Sequence, residues 1–108
     1  MKLAVLLSLA LCMPLAAAAA EVPEYVLTIQ QHRYQPTELK VPADTKIKLK
    51  VVNKDSTPEE FESNDFNREK IVMPNSSITI YVGPLDAGTY TFFGDFHQDT
   101  AQGTLVAE

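Results

Sequence analysis

From residue 21 onward, apolar side chains recur at every second position in short runs, and no stretch holds the three-to-four residue spacing of an amphipathic helix. The clearest run is Lys46 to Asn53, where Ile47, Leu49 and Val51 alternate with Lys46, Lys48 and Lys50. That is a strand with one face in a core and a lysine face in water. Tyr25 to Gln31 carries Val26, Leu27 and Ile29 and breaks at Gln35-Pro36; Leu39 and Val41 make a second short strand before the turn Pro42-Ala43-Asp44. Glu59 to Ser63 reads as a brief strand around Phe61, and the polar, irregular Asn64 to Asn75 as a long connection. Ser77 to Val82 alternates again, Gly83-Pro84 and Asp86-Ala87-Gly88 mark a turn, and Tyr90 to Phe93 and Thr104 to Ala107 close the series. About seven short strands punctuated by turn residues, with no helices, predict an all-β fold, an antiparallel sandwich of Greek-key type.

The first twenty residues change the picture of where the protein works. Lys2, an apolar stretch from Leu3 to Leu15 and an alanine run ending at Ala20 have the form of a secretory signal, with cleavage expected before Glu21. Pro14 and the alanine-rich end make the run weaker than a retained membrane span needs. Leu11 before Cys12 argues against a lipoprotein signal. The domain division is therefore 1–20 signal peptide and 21–108 one β domain, exported and not inserted in the membrane after cleavage. Cleavage removes one basic residue, Lys2, of nine and none of the fourteen acidic ones, taking the net charge from −5 to −6. Such a chain has no electrostatic footprint for nucleic acid. Cys12, the one cysteine, leaves with the signal, so no disulfide supports the small core. No Ser/His/Asp, Cys/His or phosphate-loop arrangement is present, so a hydrolase lacks its nucleophile.

Two segments carry a family resemblance. Val51-Val52-Asn53-Lys54-Asp55-Ser56-Thr57-Pro58-Glu59 is similar to the cupredoxin stretch N-x-D-x-x-P-H, whose histidine is a copper ligand; here Glu59 stands in its place. Gly88-Thr89-Tyr90-Thr91-Phe92-Phe93-Gly94-Asp95-Phe96-His97, followed by Gly103-Thr104-Leu105-Val106, resembles G-x-Y-x-F-x-C-x-x-H…M-x-G-x-v. Gly94 occupies the cysteine position, His97 keeps its own, and Ala101, or Gln102 by loop length, falls at the axial methionine. Tyr34-Gln35-Pro36 with Leu39-Lys40-Val41-Pro42-Ala43-Asp44 looks like the family's opening. A type-1 copper centre needs two imidazoles and a thiolate, so the resemblance implies a cupredoxin fold without blue-copper electron transfer.

The nearer resemblance, on Glu59-Glu60-Phe61-Glu62-Ser63, Arg68-Glu69-Lys70 and Phe92 to His97, is to cysteine-poor cupredoxin-like domains of bacterial iron uptake, of the EfeO type and the small partners of Ftr-type iron permeases. It implies a periplasmic accessory that handles iron or copper beside a membrane permease and its uptake partners. The family's geometry would gather Glu59, His97, Asp95 and Asp99 at one end of the sandwich and bring His32 close. Carboxylate and imidazole donors suit ferric iron or divalent copper, manganese or zinc and disfavour monovalent copper. Glu60 and Glu62 flank Phe61 and share an outward face, where they are either simply solvated or offer a second ion site. Met73 reads as core filler, His32 as a hairpin residue with no ligand motif of its own, and Asp95 and Asp99 as ligands or as orienting partners of His97. Against the metal-binding accessory stand two other functions: a metal-dependent ferrous-iron oxidase, and a metal-free β-sandwich interaction module.

Overall fold

The structure is a computed structural model and describes residues 3, 4, 8, 10–12 and 21–108. The signal peptide expected over 1–20 lies largely outside the described residues. The rest folds into nine strands: β1 (Glu24–Gln30), β2 (Arg33–Gln35), β3 (Glu38–Val41), β4 (Ile47–Asn53), β5 (Glu59–Ser63), β6 (Arg68–Val72), β7 (Ser76–Val82), β8 (Gly88–Gly94) and β9 (Gln102–Ala107). One turn of 3-10 helix, Asp95–His97, follows β8. The strands form a four-stranded sheet ordered β2-β1-β4-β7 and a five-stranded sheet ordered β3-β9-β8-β5-β6.

The alternation along each strand decides which side faces in. Leu27 and Ile29 of β1, Ile47, Leu49 and Val51 of β4, and Ile80 and Val82 of β7 are buried from one sheet. Leu39, Val41, Phe61, Val72, Phe92, Leu105 and Ala107 are buried from the other. The two apolar faces meet in one core. Its centre is aromatic. Tyr34 meets Phe92 edge-on at 5.0 Å between ring centroids and Phe61 at 6.1 Å, and Phe66 from the β5–β6 loop stacks on Phe61.

Two features of the expected sandwich are corrected. The strands number nine because β2 and β6 escape the periodic pattern. β2 is three residues long with a single buried side chain, Tyr34, and β6 lies in the expected long connection with only Val72 buried. An edge strand that buries one residue has no alternation to read. Nor are the sheets purely antiparallel: β1 runs parallel to β4 and β3 parallel to β9. Alternation shows which face of a strand is buried, not the direction of its neighbour.

This arrangement brings three chain segments to one end of the sandwich. They are the β1–β2 turn with His32, the start of β5 with Glu59, and the turn after β8 with His97.

Candidate metal centre

Glu59 is the first residue of β5 and points inward, only 1% exposed. Its carboxylate is held on both oxygens. Oε1 accepts hydrogen bonds from the backbone N–H of Glu60 at 3.0 Å and of Phe96 at 2.9 Å. Oε2 lies 2.5 Å from Nδ1 of His97. Hydrogen bonds to a carboxylate in a region of low dielectric are strong, and here they make its burial tolerable. Beneath it, burial and then the negative charge of Glu59 push the Tyr34 hydroxyl far above its ordinary pKa. The phenol therefore stays protonated and donates to the Phe93 carbonyl at 3.3 Å.

His97 ends the 3-10 turn, and the backbone N–H groups of Thr100 and Ala101 both donate to its carbonyl, which fixes the loop that carries it. His32 sits on the two-residue turn between β1 and β2. Its ring stacks on that of His97, with centroids 3.6 Å apart and planes 15° from parallel. Asp55 lies behind it, with Oδ2 3.5 Å from His32 Nδ1. His32, Glu59 and His97 each offer one ligand atom, and these atoms lie within 4.8 Å of one another. An open depression of about 500 Å³ lies beside the two imidazoles, lined by His32, Asp95, Phe96, His97, Gln98, Asp99 and Thr100.

The space beside Glu59 decides whether a copper–thiolate centre fits. Gly94 ends β8 opposite Phe61, and a Cβ placed on it would lie 2.5 Å from the Glu59 carboxyl carbon and 2.7 Å from the Ala101 Cβ. No side chain of any kind fits there while Glu59 keeps its place. The one cysteine of the sequence, Cys12, lies in the N-terminal segment and is exposed. The residues present do not fit a thiolate-bound copper. They do fit an ion that prefers imidazole and carboxylate.

The other expected site residues form a separate group. Glu60, Glu62 and Asp95 bring carboxylate oxygens within 4.8 Å of one another on the outer face of the five-stranded sheet. Asp95 accepts a hydrogen bond from Gln98 Nε2 at 2.7 Å. Glu69 joins this group from β6, opposite Glu62 in the β5–β6 register. Partial desolvation, then a hydrogen bond with Glu69 and the charges of Glu69, Asp95 and Glu62, push the Glu60 carboxyl up to about 7. Glu62 is raised by desolvation and by the charges of Glu69 and Asp95, while its hydrogen bond with Glu60 acts the other way. Met73 is exposed and belongs to neither the core nor the centre.

Sequence reasoning missed Asp55, which contacts the His32 turn, and Tyr34, which underlies Glu59. Asp55 lies inside the Asn53-x-Asp55 motif, for which the family resemblance names a ligand only at the Glu59 position. Its carboxylate, two residues past the end of β4, was the available signal.

Comparison with known proteins agrees with the fold. The chain is 54% identical over 83 residues to the uncharacterized protein RP394 of Rickettsia prowazekii (strain Madrid E), a match covering 77% of this chain and 66%, just under two thirds, of that protein. Amicyanin from Paracoccus versutus superposes with a TM-score of 0.62 at 18% identity, over 86% of this chain and 87% of its own. Auracyanin A, a blue copper protein from Chloroflexus aurantiacus, superposes with a TM-score of 0.68 at 13% identity, over 82% of this chain and 100% of its own. At these identities the likeness is one of fold. The model of the cupredoxin-like domain matches residues 2–107, and with the two-sheet architecture around Glu59 and His97 it establishes that this chain belongs to the cupredoxin-like domain family.

Proposed function

We propose that the protein is an exported metal-binding accessory, working in the periplasm without a blue-copper centre and assisting a membrane permease in the uptake of iron or copper. The observation that carries the reading is the convergence of His32, Glu59 and His97 at one end of the sandwich, from three separate chain segments. His32 and His97 supply borderline nitrogen donors and Glu59 a hard oxygen, a set suited to ferric iron or a divalent transition ion. Bound there, such an ion supplies positive charge and, if redox-active, an electron site. The setting in the periplasm and the permease partner rest on the N-terminal segment and on the resemblance of Glu59 to Ser63, Arg68 to Lys70 and Phe92 to His97 to iron-uptake domains.

Glu59 Oε2 and His97 Nδ1 lie within hydrogen-bond distance of each other. An ion that takes either group as a ligand competes with protons for it, so metal affinity falls on acidification. Calorimetric titration with ferric iron, Cu(II) and Zn(II), compared with a Glu59→Gln, His97→Ala double variant, tests the reading. Wild type is expected to bind at least one ion at least tenfold more tightly than the variant, with proton release on binding. Equal affinities would sink the proposal and leave the sandwich as an interaction scaffold.

A further inference from the structure

We infer that Asp55 is the positioning residue of this centre: it clamps the Gln31–His32 turn in a left-handed conformation and so lays the His32 imidazole on that of His97. The consequence for metal affinity rests on the metal-binding reading above; the geometry does not.

β1 and β2 are joined by two residues only, since Gln30 pairs with Arg33. Gln31 and His32 have φ of 53° and 55°, the left-handed region that both central residues of such a hairpin require. Asn and Gly are the residues this turn ordinarily selects, and glutamine is not among them. Holding side-chain-bearing residues there carries a steric cost. Asp55 offsets that cost. Its Oδ1 accepts from the Gln31 N–H at 2.8 Å, and its Oδ2 accepts from the His32 N–H at 3.0 Å. The same Oδ2 faces His32 Nδ1.

Asp55 is itself held in place. Its N–H donates to Asn53 Oδ1, and the Asn53 amide donates in turn to the carbonyls of Thr57 and Val72. The Asn75 N–H donates to the Asp55 carbonyl. One braced segment, from Asn53 to Glu59, thus carries both carboxylates: Glu59 for His97 and Asp55 for His32. His32 meets the Asp55 carboxylate through Nδ1, and its Nε2 has no hydrogen-bond partner among the described residues. Carboxylates behind metal-binding imidazoles fix the ring orientation and typically change metal affinity by about 10- to 100-fold when removed.

The test reads ring position and affinity separately. In the metal-free protein, the ring protons of His32 and His97 are expected to be displaced upfield by their mutual stacking in NMR spectra. Asp55→Ala should return the His32 signals toward those of a free imidazole while the fold persists. It should also lower affinity for Cu(II) or Zn(II) by about 10- to 100-fold. Gln31→Gly in the Asp55→Ala background should recover part of both, because glycine enters the left-handed region without steric cost. A turn cap with no influence on the centre would leave shifts and affinity unchanged in Asp55→Ala, and that result overturns the inference. If wild type binds no ion but Asp55→Ala abolishes the stacking shift, the metal reading fails and the positioning role stands. Tight metal binding with unchanged shifts does the reverse. Should Asp55→Ala fail to fold, Asp55→Asn keeps one acceptor oxygen and His32→Gly removes the ring. Asp55→Asn should weaken the stacking shift and the affinity in part, and His32→Gly should melt no lower than wild type while losing affinity; wild-type affinity in both variants overturns the inference.

Discussion

Glu59 and Gly94 form one unit. A carboxylate reaching inward from β5 needs the volume that any side chain at position 94 would occupy, so the two residues are legible only together. Gly94→Ala forces a methyl group against the fixed Glu59 carboxylate and the Ala101 Cβ, and overpacking of this kind costs about 1–3 kcal/mol. Urea unfolding should show that loss, and an unchanged midpoint would mean that Glu59 has room to move. Glu59→Ala acts by a different route: it leaves the N–H groups of Glu60 and Phe96 and the His97 ring without their acceptor. Each unsatisfied group costs about 1–3 kcal/mol, less where water reaches it. Glu59→Ala should therefore unfold at clearly lower urea than wild type.

At the scale of the element, the β5–β6 ribbon carries a conflict between charges. Glu60 is held up to about 7, so the folded state keeps a proton that the unfolded chain, with a carboxyl near 4.5, has released. Folding binds protons in that window, and stability falls as pH rises from about 4.5 to 7. Glu69→Gln removes the nearest charge and should shrink the difference in melting temperature between pH 5 and pH 8. The same difference in both proteins would remove Glu69 from the account. Asp65 has the opposite sign. The N–H and hydroxyl of Thr91 donate to its carboxylate and hold it below the usual aspartate range. Its contribution is present above the unfolded pKa and is lost as pH falls through the lowered one. Asp65→Asn should therefore flatten the acid limb of the stability curve measured by urea unfolding.

Across the whole molecule, the core is one layer between two sheets, with Phe61 and Phe92 at its centre and no disulfide across it. Small domains have only about 5–15 kcal/mol of net stability. Phe61→Ala, at a fully buried ring with three aromatic neighbours, costs about 3–5 kcal/mol, a large part of that margin, and should lower the urea midpoint sharply. Loss of near-ultraviolet circular dichroism in mild urea would show it. Retention of the full wild-type midpoint would mean that the core collapses around the gap. The centre stands at the end of this layer, so its three segments are only as ordered as the sheets that bring them together.

The alternation of apolar residues in β1, β4 and β7 was enough to determine an all-β sandwich, because a strand that buries one face writes a period of two into its own sequence. The motifs around Glu59 and His97 likewise marked two of the centre's residues, since each lies beside its own strand end. Strand direction, the edge strands β2 and β6, the stack of His32 on His97 and the grip of Asp55 on the turn were decided only by the tertiary structure. Each depends on segments far apart in the chain: His32 and His97 are 65 positions apart, and Asp55 is bonded to residues 23 and 24 positions away. Local pattern records what a residue faces, in or out. It does not record which distant residue it will face when the sheets close.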